Sequence, residues 1–177
     1  PPETHCDIRI NGDAATITNG KLTATIDKIG KITCYNQSGA VLLEEYKRTK
    51  EDMSGFCLDL NIQPREFSPH SGGDYALCMR FEATDGERLY GMGQYQQPCL
   101  DLKGCTLELA QRNTQASVPF VLSNLGYGFL WNNPGVGRVE MGENMTRWVM
   151  EATRGIDYFI IAGDAPAEIL EKYVDAT

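Results

Sequence analysis

The sequence predicts an all-β fold, an antiparallel β-sandwich finished by one short C-terminal helix. Three observations carry this. Apolar and polar residues alternate with a period of two almost everywhere, which puts one face of each strand in a core and the other in water. Glycine-containing turn dipeptides punctuate the alternating runs. A chain of 177 residues with 42% apolar content is long enough to bury one sandwich core.

The elements follow in chain order. Leu22, Ala24 and Ile26 alternate with Thr and Asp, and Leu58, Leu60 and Ile62 alternate with Asp, Asn and Gln. Residues 75–83 continue the pattern, and Leu107-Glu108-Leu109 is a shorter case. Residues 119–123 and 127–131, joined by Asn124-Leu125-Gly126, read as one hairpin. Trp148-Val149-Met150 and residues 156–161 supply the last strands. The turns fall at Asn11-Gly12, Asn19-Gly20, Ser38-Gly39, Gly72-Gly73 and Asp85-Gly86. Only the end is helical: Asp164 suits an N-cap, Pro166 the first turn, and Ile169, Leu170 and Tyr173 form an apolar stripe. With so little chain left to cover that stripe, the natural polypeptide is expected to continue beyond Thr177.

Composition narrows the function. A net charge of −8 argues against nucleic acid, because phosphate binding needs clustered Lys and Arg. No apolar run approaches the ~20 residues of a membrane-spanning helix. The opening Pro1-Pro2-Glu3 has neither the basic nor the apolar region of a signal peptide, so the expectation is a cytoplasmic protein, or a periplasmic or secreted one already processed. The six cysteines form no C-x-x-C pair and are not needed as staples in a core this size; Cys57 and Cys78, inside apolar runs, read as buried free thiols. Asn36-Gln37-Ser38 and Asn144-Met145-Thr146 match the glycosylation sequon at chance frequency.

Tests for chemistry fail one after another. The two histidines, His5 and His70, are isolated, and no G-x-S-x-G is present. Gly91-Met92-Gly93 begins like a dinucleotide fingerprint but lacks the third glycine and a following helix. No metal-ligand spacing and no cofactor motif occurs, so neither is expected. A pair of glycosidase carboxylates cannot be picked from 24 acidic residues, because their separation is spatial. By residue type alone, Gly91 and Gly93 serve a turn, Trp131 a core position, and Asp101 the loop before Lys103-Gly104.

The informative stretch is 87–133. It runs through Tyr90-Gly91-Met92-Gly93, then Leu100-Asp101-Leu102-Lys103-Gly104, a polar loop, Pro119-Phe120-Val121-Leu122-Ser123 and Gly126-Tyr127-Gly128. This order resembles the N-terminal domain of glycoside hydrolase family 31, which contains α-glucosidases and α-xylosidases. Gly93-Gln94-Tyr95-Gln96 and Leu130-Trp131-Asn132-Asn133 are most similar to its bacterial α-xylosidase-like branch. The resemblance implies a galactose-mutarotase-like supersandwich over 1–163 and, from 164 to 177, a helical lead into a catalytic (β/α)8 barrel absent from this chain. The barrel carries the catalytic carboxylates in that family, so no catalytic residue is assigned here. The implied role is to pack on the barrel and lend a loop to the pocket that holds the carbohydrate substrate. Self-association through the face the barrel would cover is a further expectation. The loop residues matching the family's Asn-x-Asp tip are Gln111, Arg112 and Asn113, the implied substrate-binding residues. Asn113 departs from the usual Asp, exchanging a carboxylate acceptor for an amide that both donates and accepts. Two rival readings are a stand-alone carbohydrate-binding module and an aldose mutarotase, which needs His5 or His70 beside a carboxylate.

Overall fold

A computed structural model describes residues 6–49 and 61–177. Leu58, Leu60 and Cys57 of the expected second run, and His5, lie outside the described residues. The first sheet is a five-stranded antiparallel meander: β1 (Cys6–Asn11), β2 (Ala14–Asn19), β3 (Leu22–Ile26), β4 (Ile32–Tyr35) and β5 (Val41–Glu44) in that order. Asn11-Gly12, Asn19-Gly20 and Ser38-Gly39 fall between these strands as expected. The second sheet has the order β6 (Arg65–Pro69), β7 (Tyr75–Glu82), β13 (Met145–Thr153), β12 (Gly137–Met141) and β9 (Thr106–Leu109). The third sheet has the order β14 (Tyr158–Ala162), β11 (Tyr127–Trp131), β10 (Ala116–Ser123) and β8 (Leu89–Gln94). The expected hairpin is β10–β11, with Ser123 opposite Tyr127.

The second and third sheets face one another across the core. Strand periodicity sends Leu77, Met79 and Phe81 of β7 and Trp148 and Met150 of β13 inward, where they meet Val121, Phe129 and Trp131. Four rings lock the centre: Phe129 lies 5.1 Å from Trp148 and 5.3 Å from Phe81, and Trp131 lies 5.5 Å from Trp148. Trp131 is 1% exposed, a core aromatic rather than a sugar platform. The first sheet joins this core at one end only. Along its cross-strand row Ile8–Ile17–Ala24–Cys34–Leu43, exposure falls from 60% at Ile8 to 2% at Cys34, so β1 overhangs the core with its apolar side open. Burial raises the Cys34 thiol to about 12, with the Glu45 carboxylate adding to the effect.

The outer face of the third sheet receives α1 (Pro166–Ala176). Ile169 and Tyr173 pack on Phe120 and Leu130, and the Tyr173 ring stacks 4.2 Å from Phe120. Gly128 and Gly163 clear the ground for the helix: a Cβ at either would stand 2.7 Å from Ile169. Pro166 occupies the first turn as expected, but Asp164 is not the cap. Ala165 holds that position without a side-chain bond, because the Asp164 carboxylate is taken by the Lys21 ammonium at 2.5 Å. Glu168 closes the turn instead, accepting the Asp164 N–H at 2.9 Å, Lys21 Nζ at 2.8 Å and Lys172 Nζ at 2.9 Å.

These donors, Lys172 first and then Lys21 and the Asp164 N–H, hold the Glu168 carboxyl down at about 2. A depressed carboxyl favours the folded state above its unfolded value, and that contribution is lost as pH falls through about 2. A pH titration of the Glu168 side-chain carbonyl by NMR should therefore show a midpoint near 2, rising when Lys21 and Lys172 are both replaced by Met. A midpoint at the ordinary carboxylate value in the unsubstituted protein would contradict the clamp.

Candidate functional site

The loop between β9 and β10 owes its position to an irregular strand. β8 pairs with β10 through Gly93 opposite Ser117 and Gly91 opposite Val121, so Val118, Pro119 and Phe120 stand against Met92 alone. Pro119, which has no N–H to give a ladder, sits inside this irregularity. Gly91, Met92 and Gly93 all have positive φ, at 105°, 68° and 89°. A Cβ on Gly93 would meet Ala116 O at 2.3 Å and Val118 N at 2.8 Å, and one on Gly91 would meet Phe120 O at 2.7 Å. The segment expected as a turn is thus a strand whose glycines admit both the unusual backbone and its close neighbour. Met92 fills the core, fully buried.

The same strand anchors the loop. The Tyr95 hydroxyl lies 2.7 Å from both Glu108 O and Ser117 Oγ, bracing the end of β9 against the start of β10. Gln111 clasps the Ser117 backbone from both sides, donating to its carbonyl at 2.7 Å and accepting its N–H at 3.0 Å. Gln115 Nε2 donates to Ala110 O at 2.9 Å, and Gln115 N donates to Arg112 O at 3.2 Å. The connection from Ala110 to Gln115 is therefore a tight hairpin, with Arg112 bridged to Gln115. Thr114 completes it at φ 71° and accepts Gln96 Nε2 at 3.0 Å.

Gln111, Arg112 and Asn113 are all exposed on this hairpin. Arg112 is not free: Nε and Nη2 grip the Glu108 carboxylate at 2.6 and 2.5 Å. The pairing pulls the Glu108 carboxyl down and pushes the Arg112 guanidinium up. Its remaining N–H groups have no hydrogen-bond partner among the described residues. Asn113, at the tip, makes no side-chain hydrogen bond among the described residues. Beneath the hairpin runs a cleft of about 210 Å³ lined by Leu109, Gln111, Ser117, Pro119, Trp131 and Asn133. Tyr95 lies in the Gly93–Gln96 motif that sequence singles out, whereas the supports Glu108, Gln115 and Ser117 escape sequence reasoning, save for the four-residue spacing of Glu108 and Arg112.

The rest of 87–133 holds structure together. Glu87, 6% exposed, accepts Ser123 Oγ at 2.8 Å and Tyr127 OH at 2.6 Å on one oxygen, while Lys103 Nζ stands 3.5 Å from the other. Burial, then the Glu87 charge, pushes the Tyr127 hydroxyl well up. Asp101 fixes its loop as expected, accepting the N–H of Leu89 at 3.0 Å and of Lys103 at 3.1 Å. Burial acts to raise its carboxyl, but these two donors outweigh it and hold the group below its usual range.

His70 sits in the exposed turn after β6 and contacts Glu151 O at 3.0 Å; among the described residues no carboxylate side chain is bonded to it. Among the described residues no group of three His, Cys, Asp or Glu is placed to hold a metal ion. Cys6, Cys34, Cys78, Cys99 and Cys105 are free thiols, with Cys78 half-buried.

Known proteins match this chain in sequence and fold. The glycosyl hydrolase 31 N-terminal galactose mutarotase-like domain aligns with residues 2–140. An uncharacterized family 31 glucosidase of Pseudescherichia vulneris is 49% identical over 99% of this chain, which spans 35% of that protein. An α-xylosidase of Saccharolobus solfataricus is 36% identical over 56% of this chain and 15% of its own length. The crystal structure of a family 31 α-xylosidase from a soil metagenome, complexed with xylose, superposes with a TM-score of 0.92 at 46% identity, covering 98% of this chain and 27% of the other. The chain thus spans about a third or less of the relatives it matches. A mutarotase-like sandwich, matched to such relatives along nearly its whole length, belongs to glycoside hydrolase family 31 as that family's N-terminal domain.

Proposed function

We propose that this domain is the non-catalytic N-terminal part of an α-xylosidase-like enzyme, packed on a catalytic barrel and lending the β9–β10 hairpin to its substrate pocket. The observation that carries the reading is the hairpin itself. The six residues from Ala110 to Gln115 are braced by Tyr95, Gln111, Gln115 and the Glu108–Arg112 pair, and the product of that bracing is an amide at the tip, Asn113, with no side-chain hydrogen bond among the described residues. A rigid loop presenting a group that donates and accepts suits neutral sugar hydroxyls, which do the same. Arg112 adds its remaining N–H groups, and Gln111 holds the loop in place. Similarity to α-xylosidases favours xylose over glucose as the sugar held. Apolar side chains left open on β1 (Ile8, Ile10) and α1 (Leu170, Val174) supply surface that the rest of the enzyme would cover.

Asn113→Ala in the whole enzyme tests the reading. Loss of the contact should cost about 1–3 kcal/mol of transition-state binding, lowering kcat/KM about tenfold or more. The melting temperature should not move, because an exposed tip carries little core energy. Unchanged kinetics would sink the substrate contact, and a large melting shift would make the residue structural.

A further inference from the structure

The loop from β8 to β9 carries two cysteines that the proposed function does not use. Cys99 is exposed, Cys105 is half-buried, and their sulfur atoms stand 3.6 Å apart as free thiols. A disulfide needs about 2.05 Å between sulfurs, so the gap to close is about 1.5 Å. One side of the pair is fixed. The Cys105 N–H donates to Leu102 O at 2.9 Å, its carbonyl accepts Met141 N–H at 2.9 Å, and Asp101 pins the intervening turn. The other side, around Cys99, belongs to no strand or helix and leaves its sulfur open to reagents.

We propose that Cys99 and Cys105 form a reversible disulfide site, closed by exchange with a small-molecule disulfide such as oxidised glutathione. The Cys99 thiolate attacks one sulfur of that disulfide, forming a mixed disulfide and releasing one glutathione thiolate. Cys105, its proton passed to solvent, then attacks Cys99 Sγ; the internal bond forms and the second glutathione leaves. Two protein thiols are oxidised and one disulfide is reduced to two thiols. The order follows from position: Cys99 is the exposed sulfur, whereas burial and the neighbouring Cys99 hold the Cys105 thiol above its usual value. The closed ring encloses Asp101 and lies next to Gln96, which supports Thr114 of the hairpin.

The test equilibrates the protein at its natural length with glutathione buffers of stepped oxidised-to-reduced ratio, then traps thiols by alkylation and maps peptides by mass. The expected product is a Cys99–Cys105 cross-link, two hydrogens lighter, that dithiothreitol reverses while Cys34 and Cys78 stay reduced. Cys105→Ser should instead accumulate glutathione on Cys99. If the unsubstituted protein keeps both thiols, retains glutathione on Cys99 without the internal bond, or cross-links a different pair, the proposal is overturned.

Discussion

Glu87→Ala will destabilise the domain by about 3–5 kcal/mol, the range for removing one partner of a buried ion pair. The cause is what remains. Lys103, with its side chain 9% exposed, has no hydrogen-bond partner for Nζ among the described residues, and it pairs with the Glu87 carboxylate at 3.5 Å. Tyr127 and Ser123 lose their common acceptor at the same time, leaving two buried hydroxyls to find others. Denaturant unfolding of Glu87→Ala, Lys103→Met and the double variant forms a cycle. Removing both charges should recover much of the loss, because no buried charge is then left alone. A single-variant cost below about 1 kcal/mol, or additive costs in the double variant, would show that the pair is not coupled.

The second large effect is steric. Gly93→Ala places a Cβ 2.3 Å from Ala116 O and 2.8 Å from Val118 N, both backbone atoms, at φ 89°. The left-handed conformation costs roughly 1–2 kcal/mol and the forced backbone shift roughly 1–3, so the total is roughly 2–5 kcal/mol. Gly12 is the control: its φ is 59° but nothing lies within 4 Å of its would-be Cβ, so Gly12→Ala carries only the conformational part. Chemical denaturation should rank Gly93→Ala well below Gly12→Ala in stability. Equal losses would mean that strand β10 yields without cost, and that the glycine serves conformation alone. Because β10 begins where the hairpin ends, a shifted Ala116–Ser117 should also blunt the function of the whole enzyme.

What was legible in the sequence has a common physical basis. β7 and β13 are inner strands of the second sheet and β10 and β11 of the third, so the residues they turn toward the core must be apolar, and the period of two is plain in Leu77, Met79 and Phe81. Position 128 shows the limit of that signal, because β11 is buried on both faces and its Gly is required by α1, not by a turn. β1 shows the same alternation in Ile8 and Ile10, yet both stay exposed, so a period of two marks a strand without saying whether its apolar side is covered. In β8 the residue types of Gly91 and Gly93 predict a turn, and their positive φ agrees with that type, but pairing with β10 makes the segment a strand.

The order of motifs points to Gln111, Arg112 and Asn113 but says nothing of their environment. Gln111's clasp on Ser117 and Arg112's grip on Glu108 depend on where the chain folds back. The misplaced cap has the same origin: Asp164 has the right chemistry, but Lys21, 143 positions away, competes for it. Local patterns set which residues can bond; the fold decides which of them do.

The central claim is that Asn113 reaches the sugar. A crystal structure of the whole enzyme with xylose in its pocket tests it directly. The account predicts the Asn113 amide within hydrogen-bonding distance, about 2.7–3.2 Å, of a sugar hydroxyl, with Arg112 still paired to Glu108 behind it. A hairpin tip pointing to solvent, away from the bound sugar, would contradict it.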